Sequence, residues 1–348
     1  MRQDPSSESK DAIILRIIDN DKQYKTLNLE YSLKKINIDL LIEAIVNSEH
    51  LTELNIGYNQ DIESAEFIRI LEACKQNKSI LTLDLGANHT NEEVVNSITS
   101  LIRSNKLINH FNLEGCNDIG NQTIQLIARA LSENSTITSF SISGTNISDV
   151  SANVLIENLQ HNRTILSLSN PTSDPDPHYE DQDNLSPAIN ASIRKLIARN
   201  NEYSPEQRKF FAEIKDKLIT SLRDYHQEGP SASLELPQRT FEVVNSVMNK
   251  ISDKQIVKEI RDLFLISKNS DQLPNFAKKA FYTIDRGVTE KILQQAIKIS
   301  VNDSDLKFDE REGQIISEVF YRYFNERKKE AIAPKSYDRL SSERGNNI

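Results

Sequence analysis

The feature that most constrains this chain is a motif that returns every 28 or 29 residues. "LTELNIGYN" begins at Leu51, "ILTLDLGAN" at Ile80, "INHFNLEGC" at Ile108, "ITSFSISGT" at Ile137 and "ILSLSNP" at Ile165, at spacings of 29, 28, 29 and 28. A weaker copy, "YKTLNLEYS", begins at Tyr24. A period of this length belongs to a chain of stacked units, each too small to bury its apolar face alone. Within one unit the apolar positions Leu51, Leu54, Ile56 and Ile62 stand at gaps that fit neither a helix nor a plain strand.

The unit therefore has two parts. Alternation through Leu54, Asn55 and Ile56 predicts a short strand, with Leu54 and Ile56 inward and Asn55 outward. Leu51 enters the strand from below and Ile62 closes the turn beyond it. Segments such as "NEEVVNSITSLIRSN" and "IGNQTIQLIARALSEN" follow. Their apolar residues recur at three and four, as in Val95, Ile98 and Leu101 or Ile124, Ile127 and Leu131, which makes one face of a helix. Strands are expected near 26–29, 53–56, 82–85, 110–113, 139–142 and 166–169, all parallel in one sheet. Asn59 stands where the chain leaves its strand, and its amide can serve backbone groups that the bend leaves unpaired. Asn88 and Cys116 hold the same place. Thr145 replaces them, and Pro171-Thr172-Ser173 follows the last strand, so the turn chemistry weakens toward the end of the array.

The frame of Leu51, Leu54, Ile56, Asn59 and Ile62, repeated as Ile108, Phe111, Leu113, Cys116 and Ile119, resembles the leucine-rich-repeat family. Its long, ribonuclease-inhibitor-like subtype is the nearest in kind, over roughly residues 24–200. The resemblance implies an α/β solenoid with parallel strands on the concave side and helices on the convex side. Spacing supports this curvature: strands stack at about 4.8 Å, whereas helices need nearly twice that.

Four prolines, Pro171, Pro175, Pro177 and Pro187, interrupt the pattern after "ILSLS". The acids Asp174, Asp176, Glu180, Asp181 and Asp183 between them lack the order of an EF-hand and read as a solvated loop. "AINASIRKLIARNN" then supplies one more repeat helix. Ser204-Pro205 signals a new helix start. Further helices are expected over 239–250, 253–267, 275–283, 289–299 and 309–329, without a period. The expected organisation is an N-terminal cap over 1–23, repeats over 24–202, an α-helical domain over 203–333 and a disordered tail over 334–348. The alternative is that the first helix after 203 caps the last repeat. His226 is expected on an exposed helix surface, and the charged "NERKKEAI" from Asn325 as a solvated helix end.

Catalytic and cofactor signatures are missing. No H-E-x-x-H, nucleophile elbow or glycine-rich phosphate loop occurs, and "GCNDIG" from Gly115 is followed by Asn121-Gln122 instead of Lys-Ser/Thr. Cys74 and Cys116 have no ligand-spaced partners and read as structural, so neither cofactor nor metal is expected. The sequons at Asn77, Asn134 and Asn162 read as products of the repeat. "MRQDPSSESKDA" lacks the apolar core of a signal peptide, and no apolar run reaches the ~18 residues of a membrane span. A net charge of −9 argues against nucleic acid as a partner. Residues 203–348 carry 25 Lys+Arg against 23 Asp+Glu, while residues 1–202 carry 17 against 28. The acidity thus belongs to the array.

Outward positions of the frame define a candidate face: Glu30, Tyr31, Glu53, Asn55, Tyr58, Asp84, His110, Asn112 and Glu114. It holds four carboxylates, two neighbouring tyrosines and no Lys or Arg. The resembled family commonly binds proteins there. The expected function is a non-enzymatic protein-interaction module whose protein partner offers a basic surface. The Ile/Asn/Lys-rich composition and short imperfect array are similar to repeat proteins that intracellular bacteria deliver into host cells. That likeness implies an effector, either cytoplasmic or secreted without a classical signal peptide. The readings from other classes are an enzyme with its site in 203–348, and a regulator similar to the repeat-built activators of small GTPases.

Overall fold

The computed structural model describes residues 9–169, 185–226, 238–251 and 308–332. The chain divides into two compact units, residues 1–213 and 214–348.

The first unit is an α/β leucine-rich-repeat solenoid. Helix α1 (Lys10–Ile18) precedes six strands: β1 (Thr26–Asn28), β2 (Glu53–Asn55), β3 (Thr82–Asp84), β4 (His110–Asn112), β5 (Ser139–Ser141) and β6 (Ser167–Ser169). Between them run α2 (Ile38–Asn47), α3 (Ser64–Gln76), α4 (Glu92–Ser104), α5 (Thr123–Glu133) and α6 (Asp149–Leu159), and α7 (Pro187–Asn201) follows β6. The strands form one parallel sheet in chain order. Its register aligns Thr26, Glu53, Thr82, His110, Ser139 and Ser167. Each strand is one residue shorter than the spacing predicts. The fourth residue still bonds across, as Leu29 N–H does to Asn55 O at 2.7 Å, before the chain turns away.

Alternation places Leu27, Leu54, Leu83, Phe111 and Phe140 in the core, with Leu29, Ile56, Leu85, Leu113 and Ile142 two residues on. One continuous core runs from Ile14 and Ile17 of α1 to Leu196 of α7. Cys74 and Cys116 lie in it as free thiols, and burial pushes them up to about 12 and about 11. Such thiols pack as small hydrophobes and do not react.

The bend after each strand is built as the frame predicts. Asn59 Nδ2 donates to Leu29 O, Ile56 O and Gly57 O, and its Oδ1 accepts from Leu33 N–H. Asn88 repeats this one unit later, donating to Ile56 O and Leu85 O and accepting from Asn59 N–H at 2.8 Å. Cys116 Sγ reaches Leu85 O at 3.5 Å, while Thr145 Oγ1 bonds Ile142 O of its own repeat. The weakening toward Thr145 follows from a side chain too short to span two repeats.

A second ladder of buried asparagines ends the helices. Asn77, Asn105, Asn134 and Asn162 each accept from the N–H groups two and three residues on. Asn77, Asn134 and Asn162 also donate back to Ile45 O, Ile102 O and Leu131 O of the preceding repeat. The Ser or Thr two residues on belongs to the same turn: Ser79 Oγ donates to Ser48 O and Leu51 O. The sequons are therefore turn chemistry on buried asparagines. Asn200 Nδ2 continues the ladder to Ile165 O at 2.8 Å, which makes α7 the closing repeat helix.

Helix α8 (Pro205–His226) begins in the first unit and runs into the second, which also holds α9 (Gln238–Ile251) and α10 (Glu310–Ile332). The last two match the expected helices over 239–250 and 309–329. The acidic loop, the helices expected over 253–267, 275–283 and 289–299, and the tail over 334–348 lie outside the described residues. His226 is not exposed as its sequence position suggested. Its Nε2 lies 3.0 Å from Glu312 Oε1 and its Nδ1 2.7 Å from Thr240 Oγ1. Arg239 grips both oxygens of the buried Glu312 at 2.6 Å. Asp309 and Glu312 cap the start of α10 reciprocally. The last turn of α8 meets the first turns of α9 and α10, an approach that no local periodicity signals.

Candidate partner-binding face

The outward residues of the six strands form two polar rows. In the inner row, each Asn or Asp folds back to accept the N–H two residues on. Asn55 does so with Gly57 at 2.9 Å, Asp84 with Gly86 at 2.8 Å and Asn112 with Glu114 at 2.9 Å. The remaining amide groups then bridge repeats: Asn55 Nδ2 donates to Glu30 Oε1 at 2.8 Å, and Asn112 Nδ2 to Asp84 Oδ2 at 3.0 Å. Gly57 lets this row lie flat, because a Cβ there would stand 3.0 Å from Gly86 O. In the outer row, Glu53 Oε2 accepts from Thr26 Oγ1 at 3.2 Å, and His110 is exposed with its Nδ1 against Asn109 Oδ1.

Neutral donors hold the carboxylates, and cations do not. Among the described residues no Lys, Arg or His pairs with Glu30, Glu53, Asp84 or Glu114. Elsewhere on this unit, by contrast, Lys34 pairs with Asp61 at 2.9 Å, Arg103 with Glu133 at 3.3 Å and Arg69 with Asp39. Among the described residues, these four carboxylates are thus not paired with a cation. Tyr58 stands within their field: burial, then Tyr31, Glu114, Glu30 and Asp84, raise its hydroxyl above the ordinary value.

Tyr31 and Tyr58 are the face's only large aromatic side chains among the described residues. Their rings stack with centroids 5.0 Å apart and planes 30° apart, and they are 66% and 48% exposed. Both backbones are left-handed, at φ 53° and 56°. Ala87, Gly115 and Gly144 hold the same place in later repeats, at φ 52°, 70° and 65°. The frame thus imposes a conformation that costs an L-residue about 1–2 kcal/mol and glycine nothing comparable. Bulky exposed aromatics there oppose what the fold alone would select.

Of the nine residues singled out from the sequence, Glu30, Tyr31, Asn55, Tyr58, Asp84, Asn112 and Glu114 come together around the tyrosine pair and the inner row. Glu53 and His110 stand apart in the outer row. Lys10 carries no signal in the sequence. It lies outside the repeat frame, on α1, and its Nζ donates to Asn28 O at 2.6 Å on the edge strand.

No family model matches the chain. It is 26% identical to tropomodulin-4 of Bos taurus over 103 residues, which cover 29% of this chain and 30% of that protein. It is 25% identical to tropomodulin-4 of Homo sapiens over 118 residues, covering 34% and 32%. The matched stretch thus spans about a third of the length of these curated relatives. Among solved structures, leiomodin-1 actin-binding site 2 matches with 19% identity and a TM-score of 0.33, covering 58% of this chain and 93% of that one. The tropomodulin C-terminal domain of Caenorhabditis elegans matches with 15% identity and a TM-score of 0.32, covering 56% and 95%. The first unit thus has an α/β leucine-rich-repeat fold, and the chain has sequence similarity to tropomodulins over about a third of its length.

Proposed function

We propose that the chain is a protein-interaction module and that the strand face of its solenoid is the docking surface. The observation that carries this is the exposed Tyr31–Tyr58 stack, held on left-handed backbone beside carboxylates that no cation among the described residues pairs with. Tyrosine supplies apolar area and a polar tip at little entropic cost, which suits an interface anchor. Carboxylates on neighbouring strands reinforce one potential and attract a partner with a basic surface. The reading needs no catalytic group and no cofactor. That the module works in the cytoplasm is part of this proposal; delivery into a host cell is a separate one, resting on composition alone. No helix among the described residues is long and apolar enough to cross a membrane.

The test is affinity capture from a eukaryotic cell lysate, with purified actin as a separate probe. Wild type is compared with Tyr31→Ala/Tyr58→Ala and with a variant neutralised at Glu30, Glu53, Asp84 and Glu114. Capture should fall in both variants, and in the neutralised one it should also lose its salt sensitivity. Equal identity and amount of captured protein in all three would remove the strand face as the docking surface.

A further inference from the structure

We infer that the strand face accepts an arginine side chain of its protein partner, the guanidinium plane lying on the exposed Tyr31–Tyr58 stack and its N–H groups donating to Glu30. This rests on the docking reading above and narrows it to one side-chain chemistry. Three observations converge. First, the stacked tyrosines are 66% and 48% exposed, and a cation on an aromatic face is attracted by the ring quadrupole. Second, Glu30 adjoins this stack, and Asn55 fixes its orientation by donating to Oε1. Among the described residues nothing donates to Oε2, so the carboxylate offers lone pairs in a set direction. Third, no Lys, Arg or His among the described residues pairs with the acids of this face, whereas Asp61, Asp39 and Glu133 elsewhere on the unit each pair with one. Lys10 on α1 donates to Asn28 O and forms an ion pair with none of these acids.

Other occupants fit less of this. An apolar or aromatic anchor would use the rings and leave the carboxylates desolvated without a partner, which costs free energy. An anion would be repelled. Lysine would answer the charge but not the plane. Its ammonium is compact and strongly hydrated, whereas guanidinium is flat, weakly hydrated and able to stack while donating to a carboxylate.

The experiment is a ¹⁹F NMR titration of the full chain carrying fluorotyrosine, with Tyr31→Phe and Tyr58→Phe used to assign the two signals. The probes are acetyl-Gly-Ser-Arg-Ser-Gly-amide and its counterparts with lysine or citrulline in place of arginine. The arginine peptide should shift the Tyr31 and Tyr58 signals and leave the other tyrosines unmoved. Citrulline, uncharged and similar in shape, should shift neither. Lysine should bind about two- to fivefold more weakly, the loss of a surface cation–π contact. Glu30→Gln should weaken the arginine peptide and reduce its margin over lysine, while thermal melting stays near wild type. Absence of a shift with the arginine peptide, an equal shift with citrulline, or parity of arginine and lysine would overturn the inference. If that happens while capture from lysate still depends on the tyrosines, the docking face stands and only the arginine is wrong. If capture is also independent of them, both readings fall.

Discussion

Asn59 and Asn55 lie four residues apart in one repeat, and the solenoid treats them in opposite ways. Asn59 is buried on the bend, donating to three carbonyls and accepting from Leu33 N–H. Asn55 is half-exposed on the strand face, where its bonds go to its own turn and to the carboxylate of Glu30. The same contrast separates the two regions to which they belong. In the ladders, buried polar atoms meet the backbone of two repeats at once. On the face, charges stay open to solvent and two tyrosines occupy backbone that glycine would hold more cheaply. The difference teaches where to look for function in a repeat protein. A polar row whose bonds close within the fold serves stability, and a row that leaves charge unanswered is free to serve a partner.

Removing a ladder residue should hurt most. Asn59→Ala strips partners from several backbone groups, each worth about 1–3 kcal/mol when left buried and unpaired, so a loss of roughly 3–5 kcal/mol is expected in urea melts. Leu54→Ala should cost about 2–5 kcal/mol as a core truncation. Asn55→Ala, between them in chemistry but facing outward, should cost no more than about 1 kcal/mol, because water replaces its accessible hydrogen bonds. Equal losses for Leu54 and Asn55 would mean the two faces are not distinct.

Tyr58→Gly sharpens the comparison further. Relief of about 1–2 kcal/mol of left-handed strain opposes the loss of a ring stack worth about 0.5–1.5 kcal/mol. The melt should therefore stay within about 1 kcal/mol of wild type while partner capture drops. A large destabilisation would place Tyr58 with the structural residues.

Acid provides a contrast with the neutral ladders. Burial opposes ionisation of Glu312, but hydrogen bonds from Arg239, the Asp309 backbone and His226 outweigh it and hold its carboxyl below the ordinary value of 4.5. A depressed folded value adds stability above the unfolded one, and that stability is lost as pH falls through the folded value. The gap in melting temperature between wild type and Glu312→Gln should thus narrow below pH 4.5. For Asn59→Ala, no such narrowing is expected from the removed amide itself. A Glu312→Gln gap that stays constant down to low pH would show that the carboxylate's charge is not what the cluster uses.

The repeat register was legible because Leu54 and Ile56 alternate with Asn55 and return on a fixed period, so side-chain direction followed from spacing alone. Asn59 and Asn88 were legible for the same reason. The helix-end ladder showed only as sequons at Asn77, Asn134 and Asn162; its bonds reach back a whole repeat, which spacing does not reveal. The strained backbone of Tyr31 and Tyr58 was written in the column they share with Gly115 and Gly144, where glycine is the signal for positive φ. That no cation among the described residues pairs with Glu30 or Asp84 depends on where each Lys and Arg lies in space. The His226–Glu312 contact joins residues 86 apart in a region without a period, so no local pattern could disclose it.

Photo-crosslinking tests the strand face most directly. p-Benzoylphenylalanine is placed at position 53 on the face, leaving the tyrosines intact, or at position 150, where Val150 on α6 is 76% exposed. Both proteins are irradiated in the same lysate. A crosslinked partner is expected from position 53, lost when Tyr31 and Tyr58 are both changed to Gly, and no such product from position 150. A partner captured only from position 150, or one captured from position 53 regardless of the tyrosines, would contradict docking on the strand face.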